Sequence, residues 1–557
     1  MWAHEIGKKA GVAIPLHACE HFYIVTENIQ GLKPNLPVLR VPDESSYYKE
    51  DAGKILLGCF ELKSKPWGMN GISEDFEFDS LPNDMDHFGP ILMEAMDRLP
   101  ILNDIGIKTY FNGPESFTPD DRYYLGKIPY KDNIFVSTGF NSIGIQSAGG
   151  VGKVMAEWIS NDRNKMELWD VDVSRVLDFQ DDTEYLRERS SESLGLLYAV
   201  HWPFYQFETS RNKIQSPIYD LLKEEGACFG EAAGWERANW FASQNQKPEH
   251  EYSYGKQNWF ENVKQECNAV RNDVGLFELS SFSKFIIQGK DTVKFLNYMC
   301  VSEMNVSIGK IIYTQFLNPT GGIEADVTVT RLTETSYLVV TPAITRLADQ
   351  TWMRRNKENF EVVITDVTSA EGVLAIMGPN SREFMNAISP NDFSNETNPF
   401  GTAQEIEIGM GLARVHRVSY VGELGWEIYI STDMAAHVFE TVMDYAKDSQ
   451  LKLCGMHMMD SCRIEKGYRH FGHDITCEDH ILEAGLGFAV KTGKTNFIGR
   501  DAVLRKRELG LNARLVQFKL TDPEPLLYHN ETILRDGEIV GYLSSGNYGH
   551  HLGGAVG

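Results

Sequence analysis

The chain has 557 residues, of which 42% are hydrophobic, 24% charged and 11% aromatic. This composition is that of an ordinary globular protein, and it excludes wholesale disorder. The length corresponds to about three or four domains. With 53 Lys and Arg against 78 Asp and Glu, the net charge is −25. Such a chain repels phosphate backbones and anionic lipids, so binding to nucleic acid or to a membrane surface is excluded as its main activity.

The sequence predicts neither membrane insertion nor a disulfide framework. No apolar run approaches the roughly 18 residues that a spanning helix needs, and the N-terminus lacks the apolar core of a signal peptide. The eight cysteines form no C-x-x-C pair, which favours reduced thiols and no metal site. We therefore expect a cytoplasmic location in a bacterium, or the mitochondrial matrix in a eukaryote.

The first part of the chain alternates short β-rich runs with turns. Strands are predicted at residues 21–27, 54–61 and 133–140. Helices are predicted over residues 2–10, 88–102 and 142–160, and near 181–198. Residues 161–250 are rich in Trp and Arg and less periodic, which indicates a connecting domain with Trp235 and Trp240 in its core.

A second pattern of predicted strands and helices starts near residue 257 with an amphipathic helix. Strands are predicted at residues 284–289, 326–332, 337–343, 373–378, 412–420 and 425–431, with a helix at 433–447. This mixture indicates an α+β domain. From residue 513 onward, strands separated by Gly turns predict a small β-barrel. A helix that begins at residue 2 and a strand–turn–strand pattern that stops at residue 557 together favour a fragment of a longer protein.

Five glycines surround a predicted strand-to-helix turn in STGFNSIGIQSAGGVGK, residues 137–153. Glycines let the backbone approach a flat ligand, and the unpaired N–H groups at a helix start favour negative charge. The turn therefore suits an electron-poor ring system, although a tight turn with close helix packing would explain the same glycines. The dinucleotide motif G-x-G-x-x-G after an N-terminal strand does not occur in this chain.

Together with NGPESFTPDDRYYLGKIP, residues 112–129, this turn resembles the C-terminal end of an FAD-dependent amine oxidoreductase of the D-amino-acid-oxidase type. The runs IPLHACEHFYIVTE and SSYYKEDAGKILLGCFE resemble those of dimethylglycine and sarcosine dehydrogenases. The resemblance implies FAD as cofactor. The residues that it places against the flavin are Gly139, Asn141, Ser142 and Gly144.

By the same resemblance, His21 and Tyr48, or its neighbour Tyr47, would line the flavin face where the amine substrate binds. Oxidation of an N-methyl amine needs groups that favour the deprotonated amine and orient its carboxylate. The family carries its G-x-G-x-x-G unit upstream of the region that matches this chain. We therefore expect the chain alone to hold FAD poorly and to be inactive in redox chemistry.

A second group of motifs begins at IIYTQFLNPTGGIEADVTVTRL, residues 311–332. Tyr313 and Asp326 lie across a predicted hairpin, so both side chains can face one cavity. The segments VSYVGELGWEIYI and DSCRIEKGYRHFGHDIT follow in order, and this ordered set resembles the tetrahydrofolate-dependent T-protein of glycine cleavage from about residue 257 onward. The resemblance implies Asp326 as the acid–base carboxylate beside the folate nitrogens. The pterin contacts that it implies are Tyr313, Tyr420 and Glu427.

One departure from the T-protein pattern bears on folate binding. Met459 stands where T-proteins carry an Arg that helps to bind the folate tail, so polyglutamate affinity and even folate use stay open. Arg463 is predicted to be structural, paired with Glu465 or with a backbone carbonyl. The histidines near residues 470 and 550 lack the spacing of metal ligands.

The predicted fold class is α+β and multidomain. The predicted boundaries are residues 1–175 for the C-terminal part of a D-amino-acid-oxidase-like FAD domain, 176–250 for a connecting domain, 251–505 for a T-protein-like folate domain and 506–557 for a truncated barrel.

The predicted function is flavin-dependent oxidation of an N-methyl amine such as dimethylglycine or sarcosine, with the one-carbon unit captured by tetrahydrofolate. Its partners would be the amine and an electron acceptor, either an electron-transfer flavoprotein or oxygen. Two alternatives stay open. One is a folate-dependent aminomethyltransferase without redox chemistry. The other is a non-catalytic protein similar to the pyruvate dehydrogenase phosphatase regulatory subunit, which IPLHACEHFY also resembles.

Overall fold

The computed structural model describes residues 2–557, which form two compact units. Unit 1 comprises the residues up to Asn164 together with Leu168–Arg211, and unit 2 comprises Lys165–Glu167 and Asn212–Gly557. Among the helices of residues 2–557, none is long and apolar enough to cross a membrane.

Within residues 2–557, unit 1 contains four α-helices and eight strands. In chain order they are α1 (Ala3–Ala10), β1 (His17–Thr26), β2 (Leu39–Val41), β3 (Ser46–Asp51), β4 (Lys54–Cys59), β5 (Pro66–Trp67), α2 (Met85–Arg98), β6 (Ile107–Phe117), β7 (Tyr124–Lys127), β8 (Phe135–Thr138), α3 (Gly144–Asn161) and α4 (Thr183–Leu196).

The long strand β1 organises the sheet of unit 1. It pairs along its whole length with β6 on one side, and with β4 and β5 on the other, all antiparallel. Strands β3 and β2 extend the sheet beyond β4. Phe22 and Ile24 of β1 pack into a core with Phe88 and Ala95 of α2. Because side chains alternate along a strand, His21 and Tyr23 must point to the opposite face.

Unit 2 contains eight α-helices and seventeen strands. In chain order they are α5 (Tyr219–Glu224), β9 (Ala227–Ala232), β10 (Trp235–Phe241), α6 (Phe260–Asn272), β11 (Gly275–Glu278), β12 (Ser283–Gln288), α7 (Thr292–Met299), β13 (Ile311–Leu317), β14 (Ile323–Arg331), β15 (Ser336–Thr341), α8 (Arg346–Arg355), β16 (Val363–Asp366), β17 (Glu371–Met377), α9 (Ser381–Ile388), β18 (Ala403–Ile408), β19 (Gly411–His416), β20 (Gly425–Ser431), α10 (Ala435–Ala446), β21 (Lys452–Leu453), α11 (Met456–Glu465), α12 (Arg500–Leu509), β22 (Thr532–Arg535), β23 (Glu538–Tyr542), β24 (Asn547–Gly549) and β25 (Gly554–Val556).

Unit 2 is built around two larger sheets. The first is antiparallel and runs β13-β14-β15-β12-β16; the second runs β18-β19-β20-β17-β11-β21 and has one parallel pair, β11 with β21. Each sheet has its own apolar core, centred on Phe285 and Phe316 in the first and on Trp426 and Ile428 in the second. The predicted α+β class is confirmed, and Trp235 and Trp240 are buried as expected.

Two predicted strands differ from the structure. The strand expected at 412–420 ends at His416, because the following residues leave the sheet to form the loop before β20. Residues 513–520 form no regular strand, although Phe518 and Gly557 exchange backbone hydrogen bonds of 2.8 and 3.0 Å. The C-terminal region therefore consists of two hairpins, β22–β23 and β24–β25, with this extended segment beside the second.

The turn between β13 and β14 contains a glycine, Gly322, that we expect not to tolerate a side chain. A Cβ atom at Gly322 would overlap the carbonyl oxygen of Cys477, which is backbone and cannot rotate away. We expect Gly322→Ala to lower the free energy of unfolding of unit 2 by about 3 kcal/mol. Gly541→Ala is the matched control, since a Cβ atom there would meet nothing within 4 Å. Chemical denaturation of both variants measures the difference, and equal stabilities would contradict the packing described at this turn.

Candidate active site

A cavity of about 1100 Å³ opens on the β1 and β3 face of unit 1 that is turned away from α2. It is lined by aromatic rings together with a small number of charged side chains. Those used below are His21, Arg40, Tyr47, Phe60, Glu115 and Tyr198. A largely apolar cavity with convergent polar groups is the usual form of a small-ligand site.

Because side chains alternate along a strand, only one of the two adjacent tyrosines of β3 faces the cavity. Tyr47 lines the cavity, whereas Tyr48 is 4% exposed and belongs to the core shared with α2. Opposite Tyr47 on β4 lies Gly58, where any side chain would overlap the Tyr47 ring. The structure therefore does not bring Tyr48 to the site, and its neighbour Tyr47 takes that place.

His21 lies on the wall of the cavity between two aromatic rings and a carboxylate. Its ring centre is 4.8 Å from that of Phe60, and its Nε2 is 4.0 Å from Oε2 of Glu115. Its Nδ1 is buried and has no hydrogen-bond partner among residues 2–557. A buried polar atom without a partner is costly, so this nitrogen is available to a ligand.

Arg40 supplies a positive charge to the same cavity. It lies on β2 directly opposite Tyr47, and its guanidinium is 4.0 Å from the ring centre of Tyr198. One of its nitrogens donates to the carbonyl of Leu197 at 2.7 Å. A guanidinium has five N–H donors in a planar fork, so donors remain for a carboxylate. No sequence pattern pointed to Arg40 or Tyr198. Arg40 reaches the cavity from β2, and Tyr198 reaches it from the turn that follows α4.

The Gly-rich turn before α3 reaches the cavity through two non-glycine residues. Asn141 and Ser142 both line it, and both have left-handed backbone, with φ of 48° and 66°. The amide of Asn141 holds the turn by accepting from the Thr118 N–H and donating to the Thr118 hydroxyl, each at 3.0 Å. Ser142 donates to Glu115.

Of the two glycines predicted to contact the flavin, only Gly139 is required by the packing of this turn. A Cβ at Gly139 would lie 2.7 Å from Thr118 and 2.8 Å from Leu16, and φ there is 73°. Gly144 begins α3, close to Phe140. Neither belongs to the cavity wall, so the structure assigns Gly139 to the turn itself.

Helix α3 presents a surface on which a flat cofactor can lie. Its first turn has no side-chain cap, so backbone N–H groups remain available. A Cβ at Gly149, Gly150 or Gly152 would meet nothing within 4 Å. The residues present therefore fit an anionic ring system at this helix.

The second candidate site lies on the β13–β14 hairpin of unit 2. The predicted hairpin is confirmed, with Gln315 directly opposite Asp326 and Tyr313 opposite Thr328. Because these residues alternate, Tyr313, Gln315 and Asp326 share one face. Gln315 Nε2 donates to Oδ1 of Asp326 at 2.8 Å.

Burial raises the pKa of Asp326 to about 6, and the hydrogen bond from Gln315, the neighbouring Tyr313 and the charge of Arg469 limit the rise. Tyr420 joins this group because its hydroxyl donates to the Arg469 carbonyl at 2.7 Å. A carboxyl group with this pKa can both take and return a proton near neutral pH. Gln315 and Arg469 are site residues that the sequence analysis missed.

Glu427 lies in a different environment from Asp326. It is on β20, where the hydroxyl of Tyr429 donates to its Oε2 at 2.8 Å. Burial raises the pKa of Glu427 to about 7, and Lys284 provides the opposing charge. The neighbours of Glu427 in hydrogen bonding and charge are thus Tyr429 and Lys284 rather than Asp326, and its assignment to the pterin stays a prediction.

The helix α11 carries a buried ion network. Arg463 pairs with Asp460 and Asp474 and donates to the carbonyl of Tyr468 at 3.2 Å. The predicted structural role and carbonyl contact of Arg463 agree with this, but the alternative partner Glu465 is wrong. Met459, on the same helix, is 7% exposed.

Glu465 instead pairs with Arg271 of α6 at 2.8 Å. Arg271 also pairs with Glu423 at 2.9 Å and donates to the backbone carbonyls of Val421 and Cys462. It therefore fastens the GELGWE loop to two helices of unit 2. Among residues 2–557, no group of three or more His, Cys, Asp or Glu side chains is arranged to hold a metal ion.

Comparisons with protein families define the class of protein. The FAD dependent oxidoreductase model matches residues 1–158, and the model of its central domain matches residues 161–216. The GCVT N-terminal domain matches residues 218–494, and the glycine cleavage T-protein C-terminal barrel domain matches residues 514–557. The chain therefore combines a module of the FAD dependent oxidoreductase family with a T-protein module.

Individual relatives narrow this class. The chain is 41% identical over 558 residues to 4-methylaminobutanoate oxidase (formaldehyde-forming) of Paenarthrobacter nicotinovorans, covering 100% of this chain and 68% of the relative. It is 33% identical over 594 residues to the mitochondrial sarcosine dehydrogenase of Mus musculus, covering 99% and 64%. The chain thus spans about two thirds of the length of these curated relatives. It belongs to the family of flavin-dependent N-methyl-amine oxidoreductases that includes the sarcosine and dimethylglycine dehydrogenases.

A solved structure supports the T-protein part. Aminomethyltransferase T of the glycine cleavage system from Bartonella henselae superimposes with a TM-score of 0.53 and 25% identity. The match covers 62% of this chain and 89% of that one.

The Arg271 network leads to a stability prediction. Arg271→Met removes one partner from the buried carboxylate of Glu465 and from the partly exposed carboxylate of Glu423, and we expect a loss of about 3–5 kcal/mol in the free energy of unfolding of unit 2. Arg507→Met, at an exposed position on α12, is the matched control and should change stability by less than about 0.5 kcal/mol. Urea denaturation compares the two. A loss no greater than in the control would show that Arg271 does not hold this loop.

Proposed function

We propose that this chain serves the FAD-dependent oxidation of an N-methyl amine that carries a carboxylate, of the dimethylglycine or sarcosine type, and transfers the released one-carbon unit to tetrahydrofolate. The observation that carries the proposal is the placement of His21, Tyr47 and Arg40 on one cavity in unit 1. The names of two relatives, an oxidase of 4-methylaminobutanoate and a sarcosine dehydrogenase, support this substrate class.

The cavity and helix α3 suit FAD and its substrate together. Asn141, Ser142 and the start of α3 would hold the flavin ring, and FAD, when bound, supplies the acceptor for a hydride from the N-methyl carbon. Turnover needs a final electron acceptor, for which we propose an electron-transfer flavoprotein or oxygen.

In the amine half-reaction, His21 takes a proton from the substrate ammonium and so leaves a neutral amine. The C–H bond of the methyl group then breaks, the hydride leaves with both electrons, and the nitrogen lone pair forms the C=N bond of an iminium. Arg40 binds the substrate carboxylate and fixes the distance of the methyl group from the cavity wall. The rings of Tyr47 and Phe60 keep water from the methyl carbon.

In the folate half-reaction, Asp326 moves the protons. It accepts the N–H proton that is lost when a tetrahydrofolate nitrogen bonds to the iminium carbon. It then returns this proton to the amine nitrogen, which leaves as a neutral amine. The second folate nitrogen bonds to the same carbon and closes the methylene bridge, and Asp326 passes the N–H proton that this nitrogen loses to the departing amine. The products are 5,10-methylene-tetrahydrofolate and the demethylated ammonium, so charge and protons balance. Without capture, water would convert the iminium to formaldehyde and the same amine.

Replacing His21 tests the amine half-reaction. In the FAD-loaded protein, we expect His21→Ala to slow the bleaching of flavin absorbance by sarcosine or dimethylglycine at least 100-fold, because the proton acceptor is lost. The measurement is anaerobic stopped-flow absorbance. His201→Ala, an exposed histidine of the same unit, should leave the rate unchanged. Bleaching by His21→Ala at the rate of the unmodified protein would remove His21 from the site.

Replacing Asp326 separates the two half-reactions. We expect Asp326→Asn to lower the formation of 5,10-methylene-tetrahydrofolate about 100-fold and to leave flavin bleaching intact. Asp433→Asn, an exposed aspartate of unit 2, is the control. Since the ionised carboxylate takes the proton, the folate step of the unmodified protein should rise with pH through about 6 and level off above it.

The outcomes of these assays distinguish the alternatives. Equal loss of bleaching in Asp326→Asn would contradict two separate sites. Methylene transfer without any flavin reduction would favour a folate-dependent aminomethyltransferase. Binding of FAD or folate with no turnover of any N-methyl amine would favour a regulatory protein.

A further inference from the structure

Gln315 is the neighbour of Asp326 to which the proposed chemistry gives no role. It lies directly across the β13–β14 pair from Asp326 and is 0% exposed. Its Nε2 lies 2.8 Å from Oδ1 of Asp326. A long polar side chain in a fully buried position of a strand is unusual, since the amide must find partners for both its ends.

The other end of this amide has no partner. Gln315 Oε1 is buried and makes no hydrogen bond with any of residues 2–557. The orientation of the amide is fixed, because turning it over would place its oxygen against the Asp326 carboxylate. The side chain therefore presents a desolvated acceptor next to the group that handles the proton, and a ligand N–H is the partner that would satisfy it.

We propose that Gln315 is a positioning residue that holds Asp326 through its N–H, and that its carbonyl oxygen accepts an N–H of the pterin ring bound beside that carboxylate. This inference rests on the proposed folate function of unit 2. A pterin ring carries N–H donors along one edge, so one amide can join the ligand to the carboxylate. Gln315 would thus link recognition of the ring to the protonation of Asp326.

Other groups also act on Asp326, and each comes from a different element. Tyr313 of β13 and the charge of Arg469 both favour the ionised form of Asp326. Tyr420, in the loop after β19, and Asp349 of α8 also lie near enough to interact with the Asp326 charge. Asp349 is itself buried and held by Thr345 Oγ1 at 2.7 Å. Gln315 does not titrate, so its replacement by Met changes a hydrogen bond and no charge.

The first measurement follows the protonation of Asp326 in the protein without ligand. Infrared difference spectra of aspartate-labelled protein, with Asp326→Asn as the reference, give the pH midpoint of this carboxyl group. Gln315→Met keeps the length of the side chain and removes the donor, so we expect the midpoint to move upward by about one pH unit. Gln315→Glu should move it further, because a second carboxyl group disfavours ionisation. Gln288→Met, an exposed Gln-to-Met change on β12 of the same sheet, should not move it.

The second measurement tests the acceptor. Calorimetric titration with tetrahydrofolate monoglutamate should show Gln315→Met binding about tenfold more weakly than the unmodified protein, with Gln288→Met unchanged. An unmoved midpoint in both Gln315 variants would overturn the positioning role. Equal affinity of Gln315→Met and the unmodified protein would overturn the contact with the ring. A shifted midpoint in a protein that binds no tetrahydrofolate would support the hold on Asp326 and overturn the folate function itself.

Discussion

Both candidate sites depend on the two-residue repeat of antiparallel strands. In unit 1, β1 gives Phe22 and Ile24 to the core under α2 and thereby turns His21 to the cavity. In unit 2, the β13–β14 pairing places Gln315 opposite Asp326. A slip of one residue in either pairing would exchange the core and site faces completely. Strand register therefore decides which side chains reach each candidate site.

The sequence was sufficient to predict the fold class and the order of the motifs, and it fell short where strand register or a distant segment decides which side chain reaches a site. Two adjacent tyrosines in SSYYKED satisfy the same strand pattern, and only the packing against α2 and the space over Gly58 decide that Tyr47 faces the cavity. Arg40 reaches the site from a three-residue strand that has little pattern of its own. Gln315 was within reach, since it lies two residues beyond Tyr313 on one strand and so on the same face.

Two aspartates of unit 2 show how the surroundings separate a reactive carboxyl group from a structural one. Burial acts to raise the pKa of both. For Asp460, the ion pair with Arg463 and a hydrogen bond from Asn547 more than offset burial and lower the pKa to about 2. For Asp326, the neutral donor Gln315 and the tyrosine leave the pKa at about 6. A fully paired carboxylate stays ionised and holds the fold, whereas an incompletely compensated one can exchange a proton.

The glycines of α3 lower the stability of the part of the helix that contains them. Glycine inside a helix costs roughly 0.5–1 kcal/mol relative to alanine, and Gly149, Gly150 and Gly152 follow one another closely. The buried anchors Met155 and Trp158 lie in the second half of the helix. Local stability along α3 is therefore uneven, with a first half that opens at little cost and a second half tied to the core. The end of the helix that faces the cavity is thus the more adaptable one, and a bound planar ligand would supply the contacts that its missing side chains do not.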